Sequence, residues 1–84
     1  NIVNPDGVFK DSGLWSEIKK DRAQTFGIPE SKLEDYYRKR NLLKVRVEPE
    51  DVAETVLFLS SDRSAKTTGA ILPVDGGLRE AFPR

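Results

Sequence analysis

Glu48-Pro49-Glu50-Asp51-Val52-Ala53-Glu54-Thr55-Val56-Leu57-Phe58-Leu59-Ser60 reads as a helix, and Gly69-Ala70-Ile71-Leu72-Pro73-Val74-Asp75-Gly76-Gly77 reads as a strand with its closing turn. Pro49 suits a first helical position, where the missing N–H would have had no intrahelical partner. Glu50 and Asp51 place two carboxylates near the positive end of the helix dipole. Val52, Ala53, Val56, Leu57, Leu59 and Ser60 trace a wide apolar face, and Phe58 widens it. Such a helix packs against a sheet, another subunit, or both. In the strand, Pro73 cannot donate a ladder hydrogen bond, which favours a sheet-edge position. Gly76 and Gly77 tolerate positive φ, so Asp75-Gly76-Gly77 reads as a tight structural turn.

Working outward, Asn1-Ile2-Val3-Asn4 reads as the end of a strand broken by Pro5-Asp6-Gly7. Asp11 or Ser12 can cap a helix carrying Leu14, Trp15, Ile18, Ala23 and Phe26, with Gly27 at its C′ position. Pro29 fits the first position of a second helix, which runs to about Arg40 with Leu33, Tyr36 and Tyr37 as its apolar stripe. The predicted order is strand, helix, helix, helix, strand, an α/β arrangement in which the two strands run parallel across a right-handed crossover. Two parallel strands do not make a stable sheet alone, so further strands are expected from a partner or from an amino-terminal part of the same domain. The opening residues, which lack an initiator Met and begin on a strand end, point the same way: a chain cut from something longer.

Composition narrows the function. The chain has 84 residues, no Cys and no His, so neither a disulfide framework nor a zinc or copper site of the usual kind is expected. Its 14 basic and 14 acidic residues cancel, which argues against a dedicated nucleic-acid binder. One segment, 31–47, is locally basic, with six cations against Glu34 and Asp35. Arg38-Lys39-Arg40 there reads as a solvated helix end, its charges complementing the dipole, rather than as a phosphate or RNA site. No apolar run approaches a membrane span and no signal-peptide pattern opens the chain, so a cytoplasmic protein is expected.

The text of 49–62 together with 68–77, ending Val74-Asp75-Gly76-Gly77, resembles the last helix and last strand of short-chain dehydrogenases/reductases, and Asn4-Pro5 resembles that family's Asn-Pro-Gly after the sixth strand. Residues 11–45 match the variable substrate lobe in position only. Asn4-Pro5-Asp6-Gly7-Val8-Phe9, Ser12-Gly13-Leu14-Trp15, Tyr37-Arg38, Leu42-Leu43-Lys44, Lys66-Thr67-Thr68-Gly69 and Ala81-Phe82-Pro83-Arg84 are similar to the dehydrogenase half of the bifunctional rhamnulose-phosphate aldolase/alcohol dehydrogenases. The resemblance implies the carboxy-terminal fragment of a Rossmann-like, doubly wound parallel sheet: a substrate lobe at 11–45, the last helix at 49–62 and the last strand at 69–75.

The resemblance also implies hydride transfer between NAD or NADP and an alcohol or carbonyl, with the coenzyme on a glycine-rich turn and proton chemistry on a Tyr-x-x-x-Lys pair with a Ser. None of these motifs lies in the 84 residues. Tyr36 is followed four positions later by Arg40 and Tyr37 by Asn41, so both tyrosines read as packing residues. What the resemblance leaves is one wall of the nicotinamide pocket. Pro5, Asp6 and Val8 map onto the backbone positions that contact the carboxamide. Lys10 maps onto the family's phosphate-side Thr, as a point charge toward pyrophosphate. Asp6 stands where the family has Gly, which puts the turn geometry in question. No catalytic or metal-binding residue is assigned, and the chain alone is expected to bind no coenzyme and to transfer no hydride. The last helix and edge strand imply a homo-oligomer interface. The rival readings are a non-enzymatic interaction module built on that helix and strand, and a phosphate or RNA binder using 38–46.

Overall fold

The computed structural model describes residues 1–10 and 12–81. Its elements are β1 (Ile2–Pro5), α1 (Gly13–Phe26), α2 (Leu33–Arg40), α3 (Pro49–Ser60) and β2 (Ile71–Val74), with single 3-10 turns at Glu30–Lys32, Asp62–Ser64 and Arg79–Ala81. The order is the one the sequence predicts, and β1 pairs with β2 in parallel, Ile2 opposite Ile71 and Asn4 opposite Pro73. This is an α/β fragment with a parallel sheet.

α3 begins where Pro49 predicts, and Asp51 explains why it begins cleanly. Its carboxylate accepts the Glu48 backbone N–H at 2.8 Å, satisfying the group just outside the helix. The helix ends at Ser60, and the remainder of the expected 49–62 span passes through a 3-10 turn at Asp62–Ser64. The second helix also differs from expectation. Pro29 adopts extended backbone (φ −62°, ψ 147°) ahead of a 3-10 turn, and the α-helix starts at Leu33. Gly27 ends α1 in the left-handed region (φ 68°), its N–H bonded back to the Gln24 carbonyl at 3.1 Å. Ser12 is the residue before α1 but makes no side-chain cap bond, and the Asp11 alternative lies outside the described residues.

α3 lies against both strands, and its half-buried residues include Val52, Thr55 and Leu59, none fully buried. Side chains in a strand alternate between faces, so the half-buried pair Val3 and Leu72 belongs to the helix-covered face. Ile2 and Ile71, one register step away, are 58% and 55% exposed and belong to the other. A parallel sheet is normally covered on both faces; this one is covered on one. Beyond the sheet, α1 and α2 form a lobe whose core is Ala23, Leu33 and Tyr37.

Candidate functional site

The end of β1 and the loop leaving it hold all four residues assigned to the coenzyme wall. Pro5 ends the strand, and Asp6 extends the ladder by one bond, its N–H donating to the Val74 carbonyl at 3.2 Å. Gly7 then passes between two rings. A Cβ there would lie 2.7 Å from Trp15 Cζ2 and 3.0 Å from Tyr37 Cδ2 and Cε2. Its φ is not in the left-handed region, so close approach is what requires glycine here, rather than the turn conformation that Pro5-Asp6-Gly7 suggests. Phe9 follows into the lobe, stacked on Trp15 at 4.2 Å and 21° and meeting Tyr37 edge-on at 5.2 Å. Val8 is half-buried between them in sequence. The N–H and C=O groups of Gly7 and Val8 make no hydrogen bond among the described residues.

Asp6 itself is pinned. Its Oδ1 accepts a hydrogen bond from Arg40 Nη2 at 2.7 Å, and both side chains are mostly buried. The Arg40 guanidinium lies over the Tyr37 ring, 4.1 Å from its centroid. Sequence reasoning left Arg40 as one of three helix-end cations, and nothing local marks its partner 34 residues away. The other two fit the helix-end reading: Arg38 and Lys39 both hold the Asp35 carboxylate, at 2.7 and 2.9 Å. Lys39, with Arg38, holds the Asp35 carboxyl down to about 2. Tyr37 is moved the other way, burial pushing its phenol up against the opposing pull of Arg40. Tyr37 is therefore a neutral packing residue, as its missing Lys partner predicts.

Lys10 reaches across to the first turn of α3, where its ammonium lies 3.4 Å from Glu50 Oε1. Glu50's own backbone N–H holds its carboxyl below the usual range, and Lys10 adds to this. Both side chains are more than half exposed, so this contact is weakened by solvent screening. Beside it opens a cleft of about 510 Å³. Trp15 supplies an aromatic wall, while Ser12, Ser16, Lys19 and Glu48 line it with polar groups.

The turn after β2 docks on the far end of the lobe. Asp75 Oδ1 accepts the N–H groups of Gly77 (2.9 Å) and Leu78 (3.3 Å), and Gly76 and Gly77 both take positive φ. The structural reading of this turn stands. The sequence did not reveal its partner: Leu42 and Leu43 donate backbone N–H groups to the Gly77 and Gly76 carbonyls, both at 3.0 Å, and Asn41 bridges antiparallel to Leu78. Lobe and sheet are thereby joined at two places, through Asp6 at the β1 end and through Asn41 to Leu43 at the β2 end.

These features have counterparts in known proteins. A family model described as enoyl-(acyl carrier protein) reductase matches residues 18–79. The chain belongs to the short-chain dehydrogenase/reductase family. An uncharacterized oxidoreductase of Bacillus subtilis, YuxG, is 45% identical over 85 residues, which is 100% of this chain and 12% of that protein. The L-xylulose reductase of Bos taurus is 39% identical over 79 residues, covering 92% of this chain and 27% of the reductase. Among solved structures, the sorbitol-6-phosphate 2-dehydrogenase SrlD of Erwinia amylovora superimposes with a TM-score of 0.75 at 28% identity, covering 92% of this chain and 30% of that one. The chain thus spans less than a third of the length of these short-chain dehydrogenase relatives. No helix of the described residues is long and apolar enough to cross a membrane.

Proposed function

We propose that this segment is the carboxy-terminal part of an NAD(P)-dependent oxidoreductase acting on a sugar-derived alcohol or carbonyl in the cytoplasm, most like the dehydrogenase half of a bifunctional rhamnulose-phosphate aldolase/alcohol dehydrogenase. The observation that carries the reading is the cleft beside the β1 loop. Its mixture of one aromatic wall with hydroxyl, ammonium and carboxylate groups suits a polyhydroxylated substrate, which stacks by its C–H face and hydrogen-bonds by its hydroxyls. The names of the xylulose and sorbitol-phosphate relatives agree with that chemistry.

In this reading the nicotinamide supplies or accepts the hydride, and Pro5, Asp6 and Val8 offer backbone groups to its carboxamide. Lys10 swings from Glu50 toward the coenzyme phosphates. The proton-transfer residues come from outside these 84 residues. Self-association is part of the same proposal. Val56, Leu57 and Phe58 form a consecutive exposed apolar run on α3, Leu57 being 63% and Phe58 42% exposed, and such a surface favours a second copy of the chain.

The full-length gene product tests this directly. It is expected to reduce ketoses or oxidise polyols with NAD(H) or NADP(H), while residues 1–84 alone transfer no hydride. A full-length product that turns over simple aliphatic alcohols but no polyol removes the sugar assignment; one that uses neither coenzyme removes the whole reading.

A further inference from the structure

We infer that Asp6 and Arg40 form a positioning pair that sets the coenzyme-facing loop by fastening it to the end of the substrate lobe. The inference rests on the reading of the β1 loop as a coenzyme wall. Asp6 lies one residue past β1 and Arg40 is the last residue of α2, so the 2.7 Å contact between them joins the two units the active site must hold in register. Three further observations make this a built contact rather than a surface pairing.

The first is burial. The Asp6 side chain is only 13% exposed, which puts its charge where pairing counts for more than it would in open water. The second is the seat of the guanidinium. Its central carbon lies over the Tyr37 ring, 4.1 Å from the centroid, and its Nε is buried without a hydrogen-bond partner among the described residues. A buried donor left unpaired is costly, so the remaining contacts, to Asp6 and to the ring, are what hold the group in place. The third is the neighbouring wedge. Gly7 threads between Trp15 and Tyr37 with no room for a Cβ, so the loop cannot slide once Asp6 is anchored. A small cavity of about 10 Å³ lies beside the loop, lined by Asp6, Gly7, Tyr37 and Asn41 among others, with room for about one water.

This arrangement also accounts for the departure at Asp6. A glycine at this place would carry no anchor. Here a carboxylate replaces intrinsic backbone freedom with a tether, and the loop's position follows the lobe. Neither residue needs to touch the reacting atoms.

The test uses the full-length protein and reads coenzyme binding separately from folding. Asp6→Asn keeps the shape and removes the charge. Arg40→Ala removes the anchor, and the double variant closes a cycle. Each single variant is expected to weaken NADH or NADPH binding about tenfold by fluorescence titration, the double no more than the worse single, with KM for coenzyme moving more than kcat. Arg40→Lys is expected to recover part of the loss, since an ammonium can meet Asp6 but has no planar guanidinium to set over Tyr37. Arg38→Ala, which removes a cation paired with Asp35 in the same run, is expected to bind coenzyme as the unaltered protein does. Single variants that lower the melting temperature while leaving coenzyme affinity unchanged overturn the positioning role, as do additive losses in the double. Failure of the unaltered protein to bind either coenzyme is a distinct result, and it removes the coenzyme-wall reading together with this inference.

Discussion

Asn41 grips the backbone of Val45 with both ends of its amide: Nδ2 donates to the Val45 carbonyl at 2.8 Å, and Oδ1 accepts the Val45 N–H at 3.1 Å. Asn41 is only 2% exposed. The grip folds 41–45 into a tight turn, with Lys44 at φ 56° and its ammonium donating to the Lys39 carbonyl, and so presents Leu42 and Leu43 to the turn after β2. Replacing Asn41 with Leu keeps the branched outline of the side chain, at somewhat larger volume, and strips both hydrogen bonds. The expected cost is about 2 kcal/mol, from two backbone groups left without partners, measured as a lowered unfolding midpoint in denaturant.

Three glycine-to-alanine variants should rank by cause. At Gly76 a Cβ would come 2.7 Å from Asn41 Cγ, and φ is 66° besides, so both space and backbone oppose it. At Gly27 φ is 68° but nothing lies within 4 Å, leaving a backbone cost of about 1 kcal/mol. At Gly13 there is neither obstruction nor positive φ, and alanine should be neutral or slightly stabilising at the helix start. Thermal melting of the three is expected to order them Gly76→Ala lowest, then Gly27→Ala, then Gly13→Ala. A Gly76→Ala variant as stable as Gly13→Ala would disprove the packing of this turn on Asn41.

Stability should fall at both ends of the pH range for separate reasons. The Asp35 carboxyl is held at about 2, below its unfolded value of 3.8, so its contribution is present above pH 4 and disappears as pH falls toward 2. Tyr37 is raised above 10.0 by burial, so its contribution is complete below pH 10 and disappears as pH rises beyond it. Asp35→Asn should flatten the acid limb only, and Tyr37→Phe the alkaline limb only, in melting temperatures followed against pH. Phe at position 37 also keeps the ring that Arg40 and Trp15 contact.

The exposed run on α3 gives a prediction about assembly. Leu57→Glu with Phe58→Glu should convert a self-associating full-length protein to a smaller species by light scattering, with its melting profile little changed, because neither side chain is buried within the chain. An unchanged particle mass would place the self-association surface elsewhere.

Lys10→Gln separates charge from structure. The Lys10–Glu50 contact is 3.4 Å long and solvent-exposed, so its loss should leave the melting temperature within the scatter of measurement. Coenzyme affinity should nevertheless fall severalfold and lose part of its dependence on salt, since a cation near phosphates acts through charge. Equal affinities for the two proteins would assign Lys10 to the surface alone.

The sequence by itself determined the elements whose causes are local. Pro49 with Glu50 and Asp51 fixed the start of α3, Gly27 the end of α1, and Asp75-Gly76-Gly77 the turn after β2, because each depends on the φ/ψ preferences and hydrogen bonds of neighbours in the chain. The β1 and β2 segments and the loop 5–10 that carries the candidate wall were legible for the same reason, while the parallel pairing of the strands followed from the helical crossover that joins them. Only the tertiary structure decided how that loop is held. Asp6 meets Arg40 across 34 residues, Gly7 needs its bare backbone because of Trp15 and Tyr37, and Gly76 needs its own because of Asn41. Those requirements come from distance in space, set by how the lobe folds back on the sheet. A pattern that repeats every two or every 3.6 residues carries no record of them.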